Sequence, residues 1–377
     1  MKKKVILLTN IITPYTIPLL NYISQRGNFN LKVLALAEKE KNREWKLSKR
    51  EIKFNYKIIP GFNFFFYGKK KEKSIHINFG VILSLIKNNP DIVIISGYDT
   101  LAYWQAFFYC KILRKKCILW NGTTLFSTGN PQGFKGFLKK FIIRRADRFI
   151  AYGTKAKEYL EYFGAKPENI FISINTVDVS YFKDKVKEFK SLPEFLQEKQ
   201  QSTKMTILYV GQLIKRKGAE EVLKALNVLN DSDINFIIVG SGPEKENLKN
   251  FCTKNNLKNV IFEGFRQQDE LPKYYALADV FILPSLEEVW GLVVNEALAS
   301  GLYVLCSKYA GATYDLISKD NGMIFDPNNI EEIAKNIQKC KTNILLLRQK
   351  KEQISKWMVE NFNIEQSGKS ILLAINF

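Results

Sequence analysis

The chain has 377 residues, of which 46% are hydrophobic and 25% charged, and this length and composition exclude an intrinsically disordered protein and predict two folded domains. The formal net charge is +20; residues 1–180 hold 31 basic and 12 acidic side chains, whereas residues 181–377 hold 26 and 25. The first half is therefore predicted to meet an anionic partner, namely membrane phospholipid, a lipid-linked phosphate or nucleic acid.

Cysteine usage and hydropathy predict a cytoplasmic protein. The apolar run Val5–Leu8 is too short for a secretory signal, and nowhere do about 18 apolar residues follow one another. Attachment to the inner face of the plasma membrane would therefore be peripheral. The cysteines are odd in number and widely spaced, which argues against a disulfide framework and a structural zinc site. They are Cys110, Cys117, Cys252, Cys306 and Cys340.

Short apolar runs alternate with helical patterns along the chain. Continuous apolar strands between helices are typical of parallel sheets covered on both faces, which indicates the doubly wound α/β class. The runs that we interpret as strands are Val5–Leu8, Leu31–Leu36, Ile92–Ile95, Cys117–Trp120, Phe149–Tyr152, Ile170–Ile172, Thr206–Val210, Phe236–Val239, Val260–Phe262, Val280–Leu283 and Tyr303–Cys306.

This series runs twice, which predicts two Rossmann-like domains. We assign residues 1–180 to an N-terminal domain and residues 204–350 to a C-terminal domain. Residues 181–203 lack strand character and are rich in Lys, Glu and Gln, so they are predicted to be the linker. Residues 351–377 are predicted to form a last helix and an apolar tail that packs back on the N-terminal domain.

Two basic stretches of the first half admit two interpretations each. Phe62–Lys73 joins five aromatic residues to four lysines, and it is either a core strand with a solvated loop or a membrane-facing segment. Phe134–Arg145 has an apolar stripe of helical period with most of its cations off the stripe. Such a helix can bury its stripe in the domain core or lie on an anionic bilayer.

Three segments of the second half have residue types that bind phosphate groups or sugar hydroxyls. In the first, Gly211 ends a strand and the cations Lys215, Arg216 and Lys217 precede a helix that begins near Ala219. A helix N-terminus and lysine side chains attract phosphate. The alternative is a loop with solvated lysines. The second segment, with Gly240 and Gly242 after a strand, is weaker and is also typical of a tight turn.

The third segment places Glu288 before a helix and Glu296 inside it, with Trp290, Gly291 and Leu292 at the helix start. A carboxylate accepts hydrogen bonds from sugar hydroxyls, and free N–H groups at the helix start can hold a phosphate. The alternative is one acid that favours the helix dipole and a second that is exposed.

Together these segments resemble the retaining glycosyltransferases of the GT-B fold, family 4 (glycosyl transferases group 1). The spacing Glu288-x7-Glu296 and the order of the glycine motifs carry the resemblance, which covers nearly the whole chain. It implies that Lys217 holds the donor diphosphate, Glu288 binds donor sugar hydroxyls and Glu296 binds the ribose. It also implies a donor cleft between two Rossmann-like domains, with the nucleotide sugar bound by residues 204–350 and the acceptor and membrane met by residues 1–180. The implied donor-binding residues are Gly211, Gln212, Arg216, Lys217, Gly242, Phe265, Glu288, Trp290, Gly291, Leu292 and Glu296.

The chain departs from the family pattern at two positions. Gln212 stands where many relatives have Arg, and Lys215 or Arg216 would have to compensate. Asn121 lies in the stretch where many relatives place a His near the donor sugar; its amide can bond a hydroxyl but cannot act as a base. We include Asn121 with Glu288 and Lys217 among the catalytic candidates. His76, the one histidine, is expected in a loop and away from the chemistry.

The resemblance implies a hexosyltransferase that uses a nucleotide-diphosphate sugar, with UDP favoured, and a glycan or lipid-linked acceptor at the membrane surface. Polysaccharide or glycolipid biosynthesis would be its setting. No metal, other cofactor or protein nucleophile is expected. A GT-B sugar-nucleotide epimerase is an alternative enzyme, and a basic nucleic-acid-binding protein is an alternative of another class.

Overall fold

The computed structural model describes residues 2–40, 45, 47–67, 72–128, 133–193, 195 and 204–377, with the backbone alone described at 63, 65–67 and 72–75. The chain divides into two compact units. The first unit combines Met1–Asn175 with Ile364–Phe377, and the second unit is Thr176–Asn363.

The first unit is built on a parallel sheet of seven described strands in the order β3-β2-β1-β6-β7-β8-β9. The apolar strands in its centre are buried on both faces, as expected for a sheet covered by helices on each side. The strands are β1 (Lys3–Thr9), β2 (Phe29–Ala35), β3 (Asn55–Ile58), β6 (Ile92–Ile95), β7 (Lys116–Asn121), β8 (Arg148–Ala151) and β9 (Ile170–Ile172).

Helices cover the two faces of this sheet because alternate side chains of each strand point to opposite faces. One face shares a core with α2, α3, α5 and α6, and the other with α1 and α15. The helices of the first unit are α1 (Ile17–Arg26), α2 (Val81–Asn88), α3 (Leu101–Ile112), α4 (Leu125–Thr128), α5 (Gly133–Ile143), α6 (Thr154–Tyr162) and α15 (Ile364–Ile375).

An antiparallel hairpin, β4 (Phe62–Tyr67) with β5 (Glu72–Ile77), leads into α2. The aromatic and lysine-rich stretch Phe62–Lys73 falls on this hairpin, and its residues 68–71 lie outside the described residues. His76 is not in a loop as predicted: it lies in β5, is buried, and its Nε2 is 3.3 Å from Oε1 of Glu40.

The second unit repeats the arrangement with six described parallel strands in the order β12-β11-β10-β13-β14-β15. The strands are β10 (Met205–Val210), β11 (Ile234–Val239), β12 (Val260–Gly264), β13 (Val280–Leu283), β14 (Tyr303–Ser307) and β15 (Gly322–Phe325). The helices are α7 (Val179–Lys190), α8 (Ala219–Leu229), α9 (Lys245–Lys254), α10 (Leu271–Leu277), α11 (Leu292–Ala299), α12 (Thr313–Leu316), α13 (Ile330–Thr342) and α14 (Ile344–Asn361).

The structure differs from the predicted boundaries at both ends of the second unit. The segment predicted as the linker 181–203 is helical as far as Lys190, and this helix, α7, packs on α10 and α11 of the second unit. The predicted last helix begins earlier, at Ile344, and belongs to the second unit. The tail is the helix α15, which packs on α1. Among the described helices, none combines the length and the hydropathy that crossing a bilayer requires.

Candidate functional site

The candidate site begins where two loops at the carboxyl edge of the second sheet are held together. The cations Lys215–Lys217 form a single 3-10 turn after β10, and Gly218 follows it with a φ of 71°. A Cβ at Gly218 would lie 2.0 Å from the carbonyl oxygen of Pro284, so only glycine allows this approach. The N–H of Leu286 also donates to the carbonyl of Arg216 at 2.8 Å. The cationic turn is therefore fixed against the loop after β13.

This contact brings Lys217 to Glu288. The Lys217 ammonium donates to Oε2 of Glu288, and only 17% and 12% of the two side chains are exposed. Burial alone would raise the pKa of Glu288, but the charge and hydrogen bond of Lys217, with the charge of Arg216, hold that pKa below its ordinary value. Glu288 is therefore an ionised acceptor in a largely dry place.

The backbone around Glu288 is fixed by a second loop. The N–H of Glu288 donates to the carbonyl of Tyr309 at 3.2 Å. Trp290 is buried, and its Nε1 donates to Oδ1 of Asn295 at 3.0 Å, so its indole N–H is used inside the unit. Gly291, with a φ of 100°, then starts α11. The first N–H groups of such a helix have no intrahelical partner, which leaves the backbone at Gly291 and Leu292 suited to an anion.

Glu296 differs from Glu288 in its hydrogen-bond partner and in the direction of its pKa shift. It lies in α11 with no exposed surface, contrary to the alternative of an exposed acid, and its Oε2 accepts a 2.6 Å hydrogen bond from the Tyr275 hydroxyl. Burial raises the pKa of Glu296 to about 8, although the Tyr275 hydrogen bond acts to lower it. Its buried Oε1 has no hydrogen-bond partner within the described residues. A buried acceptor without a partner costs about 1–3 kcal/mol, so Oε1 could accept a hydrogen bond from a water or from a ligand group.

The glycines of the first two motifs meet at the ends of β10, β11 and β12. A Cβ at Gly240 would lie 1.8 Å from the carbonyl oxygen of Gly211, and one at Gly242 would lie 2.4 Å from that of Leu213. The Gly240 N–H also donates to the carbonyl of Gly264 at 2.8 Å. The glycine pair therefore lets neighbouring loops pack closely, which is a structural role in this structure.

Two further donor-site candidates border these loops. The carbonyl of Gln212 accepts a 2.8 Å hydrogen bond from the Tyr209 hydroxyl. Phe265 follows β12 directly and is half-buried.

The structure thus brings together Lys217 and Glu288, with Arg216 close enough to act on the same carboxylate. Asn121 belongs to the other unit, at the end of β7, where it is buried and its Nδ2 donates to the carbonyl of Thr123 at 3.1 Å. The sequence reasoning missed Tyr275. A tyrosine among the apolar residues of a short helix carries no signal for a hydrogen bond to a carboxylate 21 residues away.

Possible metal ligands are dispersed. Within the described part of the chain, no three Cys, His, Asp or Glu side chains are grouped as a metal site would need. All five cysteines are free and buried.

Comparison with known proteins finds one family model and several relatives that are named as glycosyltransferases. The family model "Glycosyl transferases group 1" matches residues 193–357. An uncharacterized glycosyltransferase of Haemophilus influenzae is 30% identical over 257 residues, which make up 67% of this chain and 68% of that protein. A putative teichuronic acid biosynthesis glycosyltransferase of Bacillus subtilis is 32% identical over 130 residues, or 34% of this chain and 31% of that protein.

Solved structures give the fold. The crystal structure of Anabaena HepE in complex with UDP-glucose superimposes with a TM-score of 0.74 at 17% identity, and the match covers 99% of each chain. Two parallel sheets with covering helices are the GT-B architecture that the sequence predicted, so the predicted fold class is confirmed. The chain belongs to the glycosyl transferases group 1 family and has the GT-B fold.

Proposed function

We propose that this chain moves a hexose from a UDP-sugar, with retention of the anomeric configuration, to a glycan or lipid-linked acceptor. The transfer would take place at the cytoplasmic face of the plasma membrane, in polysaccharide or glycolipid biosynthesis. The observation that carries the proposal is the buried Lys217–Glu288 pair between two loops of a family member. UDP-glucose bound to HepE supports the donor class, and the assignment of the B. subtilis relative to teichuronic acid biosynthesis supports the setting.

The positive groups of the second unit would hold the diphosphate. Lys217 is a point charge in a largely dry place, and Arg216 acts beside it. Departure of UDP leaves an electron pair on the β-phosphate oxygen, and fixed cations and helix N–H groups stabilise that charge. The first N–H groups of α11, at Gly291 and Leu292, would add to this field. Because these groups supply the positive charge, we propose that transfer needs no metal and no other cofactor.

The two carboxylates would bind opposite ends of the donor. Ionised Glu288 would accept hydrogen bonds from the sugar hydroxyls once Lys217 turns to the diphosphate. Glu296 would bind the ribose, since a ribose hydroxyl would give its Oε1 the partner that the described residues do not provide. Phe265 and the loop glycines Gly211 and Gly242 would border the nucleotide, and Asn121 would bond a sugar hydroxyl.

Retention follows if the acceptor hydroxyl attacks from the face that UDP leaves. The anomeric carbon loses its bond to the phosphate oxygen and gains one to the acceptor oxygen, and the acceptor proton passes to the departing phosphate. No protein nucleophile is needed for this step. The family assignment favours a transferase over the epimerase and over the nucleic-acid-binding protein that the sequence left open.

A donor screen tests the proposal. We expect UDP-sugars, and not GDP- or ADP-sugars, to raise the melting temperature and to be hydrolysed slowly without acceptor. NMR should show that the first sugar released keeps the donor's anomeric configuration, and chelation by EDTA should leave the rate unchanged. The exposed carboxylate Glu246 provides the control: Glu246→Gln should behave as wild type. An inverted product, or failure of every nucleotide sugar to bind, would overturn the proposal.

A further inference from the structure

The outer surface of α2, α3 and α5, here called the acid-free layer, is a continuous helical covering of the first unit's sheet. The buried faces of these helices share one core, to which Val81, Phe107 and Ile142 contribute. Helix α2 packs beside α3. Helix α5 also contacts α3, because the Phe141 ring stands 6.4 Å from that of Trp104. The three helices therefore present one surface.

That surface exposes large apolar side chains on each helix. Leu83 of α2, Ile112 of α3 and Phe134 of α5 are 71%, 76% and 74% exposed. The aromatic contacts Phe108–Phe141 and Phe137–Phe141, at 6.4 Å between ring centroids, connect α3 with α5. The remaining exposed members are Ile86, Leu101, Phe108 and Phe137. The connected aromatic side chains of α3 and α5 are more than scattered surface apolarity and mark an interaction surface.

The apolar stripe of α5 is buried at one end and exposed at the other. Its C-terminal end, Ile142, is buried in the core, and Phe141 is half-buried. Its N-terminal end, Phe134 and Phe137, finds no cover within the described residues. The stripe that the sequence assigned either to the core or to a membrane is therefore divided between a buried end and an exposed end.

The charge of the layer has one sign. None of α2, α3 and α5 contains an Asp or Glu, whereas lysines occur on all three. Asp147, just beyond α5, is already bound to Lys111 at 2.9 Å. The exposed cations that form no ion pair within the described residues are Lys87, Arg114, Lys135, Lys140, Arg144 and Arg145.

We propose that the acid-free layer docks the enzyme on an anionic lipid bilayer. Aromatic and aliphatic side chains enter the interfacial region, and lysines and arginines around them pair with anionic headgroups. Leu83 and Ile112 cannot stack on bases, which disfavours nucleic acid. A second copy of the same layer would oppose cations with cations, which disfavours a symmetric dimer. The docking rests on the proposed function for its purpose, since it brings the enzyme to a membrane-anchored acceptor.

The test is flotation of the full chain with vesicles of phosphatidylcholine, with and without phosphatidylglycerol. We expect binding to the anionic vesicles and its loss in high salt. The double change Lys135→Gln/Lys140→Gln should weaken binding about 25-fold, because each cation near the surface is worth about fivefold. Phe134→Ala/Phe137→Ala should weaken it about tenfold or more.

Matched controls lie on the second unit. Lys254→Gln/Lys258→Gln removes the same charge from exposed positions, and Leu345→Ala/Leu346→Ala removes exposed apolar area. Both should bind as wild type does. Equal binding to neutral vesicles, equal losses in the controls, or a dimer that the layer variants dissolve would overturn the inference.

Donor hydrolysis in vesicle-free solution separates the two proposals. If hydrolysis proceeds and vesicle binding fails, the docking surface is wrong and the donor assignment stands. If binding follows the expected pattern and no UDP-sugar is hydrolysed, the donor assignment is wrong and the docking surface stands.

Discussion

The outer helices of the second unit pair their charges, whereas α2, α3 and α5 of the first unit carry lysines and no acids. In α8, Lys224 lies 2.8 Å from Glu220, and in α9, Lys249 lies 3.3 Å from Glu246. Exposed pairs of this kind contribute little to stability, but their opposite charges cancel, so they do not attract anions. The Lys215–Lys217 turn, in contrast, places three consecutive cations together in the second unit.

This difference in charge pairing shows how one chain can attract two kinds of anion. A small diphosphate is met by a few cations in a largely buried place, where each interaction is strong. A membrane is met by many cations over a broad surface, where each interaction is weak and sensitive to salt.

The largest effect is expected from Glu288→Gln. The amide keeps the shape of the side chain but has no negative charge to pair with Lys217 or to accept hydrogen bonds from sugar hydroxyls. The kcat of donor hydrolysis should therefore fall about 100- to 1,000-fold. Flotation with anionic vesicles should not change. A variant with more than half of the wild-type rate would contradict the site, and altered flotation would contradict the separation of the two surfaces.

Lys217→Ala should lower kcat/KM about 100-fold and should also act on its partner. The lost charge and hydrogen bond raise the pKa of Glu288, so the acid limb of the pH–rate profile should move to higher pH. The control is Lys215→Ala, an exposed lysine of the same turn, which should leave the profile in place. If both variants gave the same pH–rate profile, the Lys217–Glu288 ion pair would have no role in the reaction.

The last effect, expected from Glu296→Gln, is on the stability of the free enzyme. The pKa of Glu296 is about 8 in the folded state against an ordinary 4.5, so the folded state holds a proton that the unfolded state has lost. Stability should therefore fall as pH rises from about 4.5 to about 8. Each kcal/mol lost lowers the melting temperature by about 2–4 °C. The variant should lack this part of the slope, and identical wild-type and variant slopes would show that Glu296 is not buried as described.

Most of the fold could be predicted because buried parallel strands are continuous apolar runs. Every run that we interpreted as a strand forms one, although boundaries differ by a residue or two. Two of the missed strands, β3 (Asn55–Ile58) and β15 (Gly322–Phe325), lie at sheet edges, where one side is not paired and the apolar signal is short. Helix α7 was missed because its polar surface resembles a linker, while Phe182 packs into the second unit.

The site was predicted at the level of residue types and not of contacts. The motif spacing indicated Glu288 and Glu296, but 71 residues separate Lys217 from Glu288. Their contact depends on the close approach of Gly218 to Pro284, which is a tertiary event. The Tyr275 hydroxyl donates to the buried carboxyl group of Glu296, and no pattern in the sequence connects these two residues.

The helix α15 makes the second unit an insertion within the first. The chain leaves the first unit after Asn175 and returns at Ile364, where α15 covers the sheet and the Ser173 hydroxyl donates to the carbonyl of Ser367 at 3.0 Å. Exchange of the second unit between homologues therefore needs two junctions. A chimera with a single junction would pair the first sheet with a foreign closing helix and disturb the core around Ile371.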